Sequence, residues 1–305
     1  MKNLFTIVSA ALLVAVSSAH ARLNVVATLP DYGAIAEAVG GPHVKVTSLA
    51  RGTEDPHFID ARPSFIRVLN QADVLIEGGA EMEIGWLPPL VENARNPKIL
   101  PNGPGRISLA RRMKLLDVPA APVDRSMGDV HPGGNPHFAH DPSNGILIAK
   151  QLAEAFGRID PANAAAYNTA LRKFNTALDA RLAGWRKQME PLRGTKVATY
   201  HKSFDYFAAH FGLEIVGQIE PKPGIEPSAT HISALIPKLK EAGVKLILIE
   251  PHRSRRTPQQ LATAIGAKVV VLPGMVGGHE SIRDYPGLFD YGIAQILAAL
   301  PAAKP

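Results

Sequence analysis

Three of the eleven histidines in this chain of 305 residues stand in short motifs that could bring their imidazoles together. His57 follows the predicted second strand, His201 follows a predicted strand in the second half of the chain, and His137 follows a proline in a loop between them. Imidazole nitrogen is the commonest protein ligand of Zn²⁺, and it also binds Mn²⁺ and other first-row ions. We therefore predict a metal site made from these three side chains.

The spacing of the histidines does not by itself select these three. His137 and His140 are close in sequence, but the Asp-Pro at 141–142 breaks any helix that would carry them as a pair of ligands. A lone histidine is more often a surface or capping residue, and this remains the alternative for each of them. The choice depends on the elements that position them.

Two segments, which begin near residues 23 and 195, have the same predicted order of elements. In each, an apolar strand precedes a helical pattern that ends at glycine, a second strand, a Gly-x-Glu turn, a second helical pattern and a third strand. Val-Ala-Thr occurs in both first strands, at 26–28 and 197–199. Two such βαβαβ units predict an α/β protein of two lobes with parallel sheets, and ligands of such sheets bind at the carboxyl ends of the strands. Further strands are predicted at 98–100 and 114–116.

The stretch from Pro161 to Met189 carries a single apolar stripe whose members are three or four residues apart, as on one face of a helix. Pro161 suits the first turn and Asp160 is the expected N-cap. A helix of about 29 residues spans roughly 44 Å. We predict that this rigid helix joins the lobes and that the metal site lies in the cleft between them; one long core helix is the alternative.

These patterns predict the following division of the chain: a signal peptide at 1–21, a first lobe at 22–142, linking helices at 143–193 and a second lobe at 194–305. The signal peptide is indicated by a basic start, a short apolar run and a small-x-small sequence that ends at Ala21, so we expect an exported, periplasmic protein without a stable membrane anchor. The absence of cysteine from the sequence excludes disulfides and thiolate ligands. The net charge of +6 comes without an arginine-rich run, so we predict no binding to nucleic acid.

The same motifs carry a resemblance to a known family. Asp-Pro-His at 55–57, Asn-Pro-His at 135–137 with Asp-Pro at 141–142, and His201 with an aromatic-rich helix behind it resemble the ZnuA/TroA-like zinc- and manganese-binding proteins of ABC transporters. The resemblance covers nearly all of the chain after residue 21. It implies a monomer that captures a divalent transition metal, zinc before manganese, in the periplasm and delivers it to an ABC transporter membrane permease.

By this resemblance, His57, His137 and His201 are the metal ligands. Family members often take a fourth ligand from an aspartate after the fourth strand of the second lobe, but here residues 269–272 run into Pro-Gly-Met. We predict that Glu250, at the end of a neighbouring strand, replaces it; the alternative is that Glu250 orients a histidine N–H. Other candidates for the fourth position are Glu226, His279 and a water molecule.

Two alternative functions use the same histidines. A manganese-binding member of the family is one, although Mn²⁺ prefers more oxygen ligands than this set offers. A zinc-dependent hydrolase is the other, since three histidines and a water on zinc also form a catalytic site; we expect no enzyme, because no glutamate stands beside a ligand as in His-Glu-x-x-His. His131 lies in a proline- and glycine-rich loop that resembles the metal-collecting loop of zinc-binding members, and a plain flexible loop is the alternative.

Overall fold

The computed structural model describes residues 22–121, 123 and 131–300, so the predicted signal peptide lies outside the described residues. In this part of the chain, two sheets of four parallel strands are present, one in each half. Among the same residues, no helix has both the length and the apolar character that a membrane crossing needs.

The first lobe is a parallel sheet covered by helices, and its central strands read as apolar runs because both faces are buried. Its elements are β1 (Leu23–Ala27), α1 (Pro30–Gly40), β2 (Val44–Ser48), α2 (Pro63–Asn70), β3 (Val74–Glu77), α3 (Leu87–Ala94) and β4 (Arg106–Ser108). The strand order is β2-β1-β3-β4.

Two helices connect the lobes: α4 (Asn144–Ile159) and the long α5 (Ala164–Met189). The predicted long helix is therefore confirmed, but Pro161 belongs to a single 3₁₀ turn that precedes it. Asp160 does not cap the helix backbone; its Oδ2 accepts hydrogen bonds from Asn163 Nδ2 and Tyr167 Oη, each at 2.7 Å. At 26 residues, α5 is about 39 Å long.

The second lobe repeats the plan of the first. Its elements are β5 (Lys196–Thr199), α6 (Asp205–Phe211), β6 (Glu214–Gln218), α7 (Ala229–Ala242), β7 (Leu246–Ile249), α8 (Arg256–Ile265), β8 (Lys268–Val271) and α9 (Tyr285–Ala299). The strand order β6-β5-β7-β8 matches that of the first sheet. The prediction of two α/β lobes with parallel sheets and one long helix between them is confirmed.

The predictions of strands at 98–100 and 114–116 are wrong. The fourth strand of the first lobe lies at 106–108. Residues 98–100 form a turn, in which the N–H of Gly105 donates to the carbonyl of Lys98. At 114–116, the N–H of Leu116 donates to Tyr206 Oη, and its carbonyl accepts from the N–H of Asn135. Apolar residues are present in both places, but their backbone groups are bonded within turns and loops.

The two lobes share one hydrophobic core. It runs from the first sheet through α4 and α5 to one face of the second sheet, whereas the other face has a separate cluster. At the boundary, Asp31 of the first lobe accepts a hydrogen bond of 2.7 Å from the backbone N–H of Val276 in the second. Gly52 packs so closely on residues 276–278 that a Cβ there would lie 2.3 Å from Gly278 N. These contacts fix the two sides of the cleft relative to each other.

Candidate metal centre

Three imidazole rings converge at the cleft between the lobes. His137 Nε2 lies 3.1 Å from His57 Nε2 and 3.2 Å from His201 Nε2. The three residues are 8%, 6% and 4% exposed, respectively, for His57, His137 and His201. In a tetrahedral site with Zn–N bonds of about 2.0–2.1 Å, two ligand nitrogens lie roughly 3.3 Å apart. The two distances from His137 are close to this value, and the ligand atoms of all three histidines lie within 4.8 Å of one another, which is a spacing that one ion could bridge.

The loop after β2 positions His57. Asp55 Oδ1 accepts a hydrogen bond of 3.0 Å from the backbone N–H of His57, which closes a local turn. The carbonyl of Pro56, between them, accepts from Trp86 Nε1 at 3.0 Å, and Trp86 is buried in the first lobe. The Asp-Pro-His motif thus acts as a unit that attaches the ligand to the lobe.

The second motif positions His137 in the same way and also reaches across to the second lobe. Asn135 Oδ1 accepts a hydrogen bond of 2.9 Å from the backbone N–H of His137. The amide nitrogen of Asn135 donates to the carbonyl of Lys202 and to Asp205 Oδ2. The side chain of Asn135 therefore ties the His137 loop to the segment that follows His201.

His201 lies just beyond β5, and a carboxylate orients its ring. Its Nδ1 is 2.7 Å from Glu220 Oε2, and the Glu220 side chain is 4% exposed. With the proton on Nδ1, the lone pair of Nε2 faces the other two rings and is available to an ion. The sequence patterns do not single out Glu220, although it directly follows the predicted strand at 213–219 and so lies at the same sheet edge as His201.

The three rings differ in pKa. Burial lowers the pKa of His57 to about 3, and the charge of His201 adds to this effect. Burial and the charge of His57 likewise lower the pKa of His137. Burial also acts to lower the pKa of His201, but the hydrogen bond to Glu220 and the negative charge of Glu250 outweigh it, so this pKa lies above the ordinary value. Two rings are thus neutral at neutral pH, and the third is the one that holds a proton most readily.

Glu250, the predicted fourth ligand, lines the same cavity as the three histidines and is 3% exposed. Its Oε1 accepts a hydrogen bond of 2.5 Å from Ser203 Oγ, whereas its buried Oε2 has no hydrogen-bond partner in the described part of the chain. The structure does not bring Glu250 into the group of ligand atoms that lie within 4.8 Å of one another, which consists of the three histidines. The role of orienting a histidine N–H belongs to Glu220.

Four other residues have distinct positions around the site. The His131 ring stacks on that of His57, with 5.2 Å between centroids. Glu226 accepts a hydrogen bond from Tyr200 Oη, and His279 is an exposed residue stacked on Tyr291. His140 has its two ring nitrogens 2.5 Å and 2.7 Å from the carbonyl oxygens of Ser203 and Gly274. Both nitrogens of His140 thus face carbonyl oxygens rather than the other three rings, and its ring stacks on that of His137, with 5.9 Å between centroids.

The chain is similar to known metal-uptake proteins over most of its length. The family model for the periplasmic zinc-uptake complex component A (ZnuA) matches residues 25–299. The chain is 26% identical over 292 residues to the high-affinity zinc uptake system protein ZnuA of Paracoccus denitrificans, with 85% of each chain covered. It is 27% identical over 169 residues to ZnuA of Brucella abortus (strain 2308), so that match spans only 50% of the relative and 55% of this chain. A crystal structure of ZnuA superposes with a TM-score of 0.76 at 24% identity, covering 91% of this chain and 99% of the other, and thus has the same fold.

Proposed function

We propose, because the chain belongs to the family of periplasmic zinc-uptake components (ZnuA), that it captures a divalent transition metal ion in the periplasm and delivers it to the membrane permease of an ABC transporter. The family is one of transporter substrate-binding proteins rather than enzymes. The observation that carries the proposal is the convergence of three buried Nε2 atoms from three separate segments on one point of the inter-lobe cleft.

The donor set favours Zn²⁺ over Mn²⁺ as the ion. Three neutral imidazoles suit zinc, whereas manganese prefers oxygen ligands. In this proposal His57, His137 and His201 hold the ion, and the fourth position is filled by Glu250 Oε2 when its side chain turns inward, or by water. The carboxylate of Glu220 keeps the His201 ring in the tautomer that can bind.

The shared core limits how the ion can leave. The lobes are joined by α4 and α5 and by the contacts of Asp31 and Gly52 with the second lobe. A large rigid-body opening would break that core, so we propose that release at the permease proceeds through local movement of the loops that carry His57 and His137. The burial of the three ligand histidines would shield the ion until then.

Calorimetric titration of the chelator-stripped protein tests the proposal, with Zn²⁺ and Mn²⁺ titrated separately. We expect one tight zinc site, which is severely weakened in His57→Ala and unchanged in His279→Ala, a histidine variant at an exposed position. Glu250→Ala then separates a ligand from a neighbour. Absence of binding by either ion, or equal binding in His57→Ala, would contradict the proposal. Hydrolysis of ester or peptide substrates that requires zinc would instead favour the hydrolase.

A further inference from the structure

Arg253 lies at the centre of a group of carboxylates behind the three histidines. Its side chain is 13% exposed. One terminal nitrogen lies 3.0 Å from Glu220 Oε1 and the other 3.4 Å from Asp55 Oδ2, while Nε lies 3.9 Å from Glu250 Oε2. The guanidinium also lies over the ring of Tyr200, 5.1 Å from its centroid. Nothing in the ligand set requires an arginine here, yet three sides of it face groups that belong to the site.

Each of these carboxylates is linked to a different part of the metal centre. Asp55 accepts the backbone N–H of His57 with its other oxygen, and Glu220 accepts Nδ1 of His201 with its other oxygen. Glu250 is the candidate fourth ligand. Arg253 therefore connects a loop of the first lobe with two carboxylates of the second. It acts on the histidine ligands through these carboxylates.

The contact with Glu250 differs from the other two. At 3.9 Å it is too long for a hydrogen bond. Glu250 Oε2 and Arg253 Nε are both buried and have no hydrogen-bond partner among the described residues. Arg253 and Glu250 thus attract each other electrostatically without a hydrogen bond, and their burial means that water screens this attraction only weakly. Glu250 lines the same cavity as the three histidines, so a bound ion, with twice the charge of the guanidinium, would attract the same oxygen.

We propose, on the basis of the metal-binding function proposed above, that Arg253 is a positioning residue that competes with the bound ion for the Glu250 carboxylate and thereby sets the preference for zinc over manganese. While Arg253 holds Glu250 back, the ion receives three nitrogens and at most a weak contact from an anionic oxygen. This donor set suits zinc and leaves manganese short of the oxygen ligands it prefers. Without the guanidinium, Oε2 is free to bind the ion.

The ratio of zinc to manganese affinity isolates this effect. Loss of Arg253 also loosens Glu220 and Asp55, but that change lowers the affinity for both ions alike. A new carboxylate ligand, in contrast, raises the affinity for manganese more than that for zinc. In Arg253→Leu we expect the affinity for Mn²⁺ relative to Zn²⁺ to rise by about 10–100-fold. This is the range of effects typical when a residue that contacts the metal ligands is replaced. In Arg253→Leu combined with Glu250→Leu, the ratio should return to that of the unaltered protein, because position 250 then has no side-chain oxygen that could bind the ion.

The experiment is calorimetric titration of both ions into chelator-stripped protein, together with the visible spectrum of bound Co²⁺, which reports a change in ligands. Arg253→Gln removes the charge with less loss of packing and should change the ratio in the same direction; Arg253→Lys keeps the charge and should leave it nearly unaltered. The exposed Arg255, replaced by leucine, is the charge-matched control and should have no effect on the ratio.

The outcomes separate this inference from the proposed function. If the unaltered protein binds neither ion, the proposed function fails. If it binds zinc tightly but folded Arg253→Leu and Arg253→Gln keep both the ratio and the Co²⁺ spectrum, only the inference is wrong. A ratio that changes equally whether or not Glu250 is present would also overturn it, because Arg253 would then act through another group.

Discussion

Binding of zinc should compete with one proton, not with three. Burial lowers the pKa of His57 to about 3 and also lowers that of His137, so neither ring takes up a proton as readily as an ordinary imidazole. Only His201 has a raised pKa, and an ion can bind its Nε2 only when that nitrogen carries no proton. Below the pKa of His201, the apparent affinity should therefore fall about tenfold for each pH unit, or about 1.4 kcal/mol, and above it the affinity should be constant.

Three ordinary imidazoles would behave differently. With pKa values near 6.5, all three would take up protons together, and well below that pH the affinity would approach a loss of about a thousandfold per pH unit. The assay is competition for zinc with a chelating dye at a series of pH values from about 7.5 to 5, the range in which histidine ordinarily titrates. Calorimetry in buffers with different ionisation enthalpies counts the released protons directly.

Glu220→Gln tests the cause of the raised pKa. Without the carboxylate, burial lowers the pKa of His201, so the pH-dependent range should move to lower pH. At neutral pH the affinity should fall about 10–100-fold, because the ring loses its charged partner. Glu226→Gln, which alters a carboxylate bonded to Tyr200, is the matched control. A loss near a thousandfold per pH unit, or an unchanged pH range in Glu220→Gln, would refute the reasoning.

Three further predictions concern stability and the lobe contact. Zinc at about 100 times its dissociation constant should stabilise the fold by about 2.7 kcal/mol, which raises the Tm. His57→Ala should not show this rise, and an equal rise in both proteins would contradict the prediction. Leu178→Ala, at a fully buried position on α5, should cost about 2–5 kcal/mol in urea unfolding, and a loss below 1 kcal/mol would show that the helix packs loosely. Gly52→Ala should weaken zinc binding, because its Cβ would displace residues 276–278 or the loop of His57. The control is Gly184→Ala on α5, where the added Cβ meets open space and zinc binding should be normal.

The fold could be predicted largely from the sequence because burial on both faces leaves its mark in short apolar runs. The strands around Val26 and Val197, the repeat of their order and the stripe on α5 all follow from such local patterns. The two wrong strands have different causes. Residues 98–100 form a local turn, whereas Leu116 is bonded to Tyr206, ninety residues away, and no local pattern reports this contact.

The site could be predicted only as far as its short motifs extend. His57, His137 and His201 stand in recognisable neighbourhoods, and the structure brings them together. Glu220 and Arg253 stand in none, because their roles depend on where a loop turns after its strand ends. The position of Glu220 at a sheet edge was a usable signal, whereas that of Arg253 depends on three carboxylates from separate segments.

The common core has a consequence for how the protein reaches its native state. The duplicated βαβαβ pattern resembles two modules, but α4, α5 and α9 fill spaces that belong to both halves. A half chain would expose a broad apolar face, so we expect neither half to fold when produced alone, and the whole chain to unfold in a single cooperative transition. The ligands come from both sides of that core, so the cleft is complete only when the two lobes have packed together. A partly folded chain thus offers an ion no finished site to occupy.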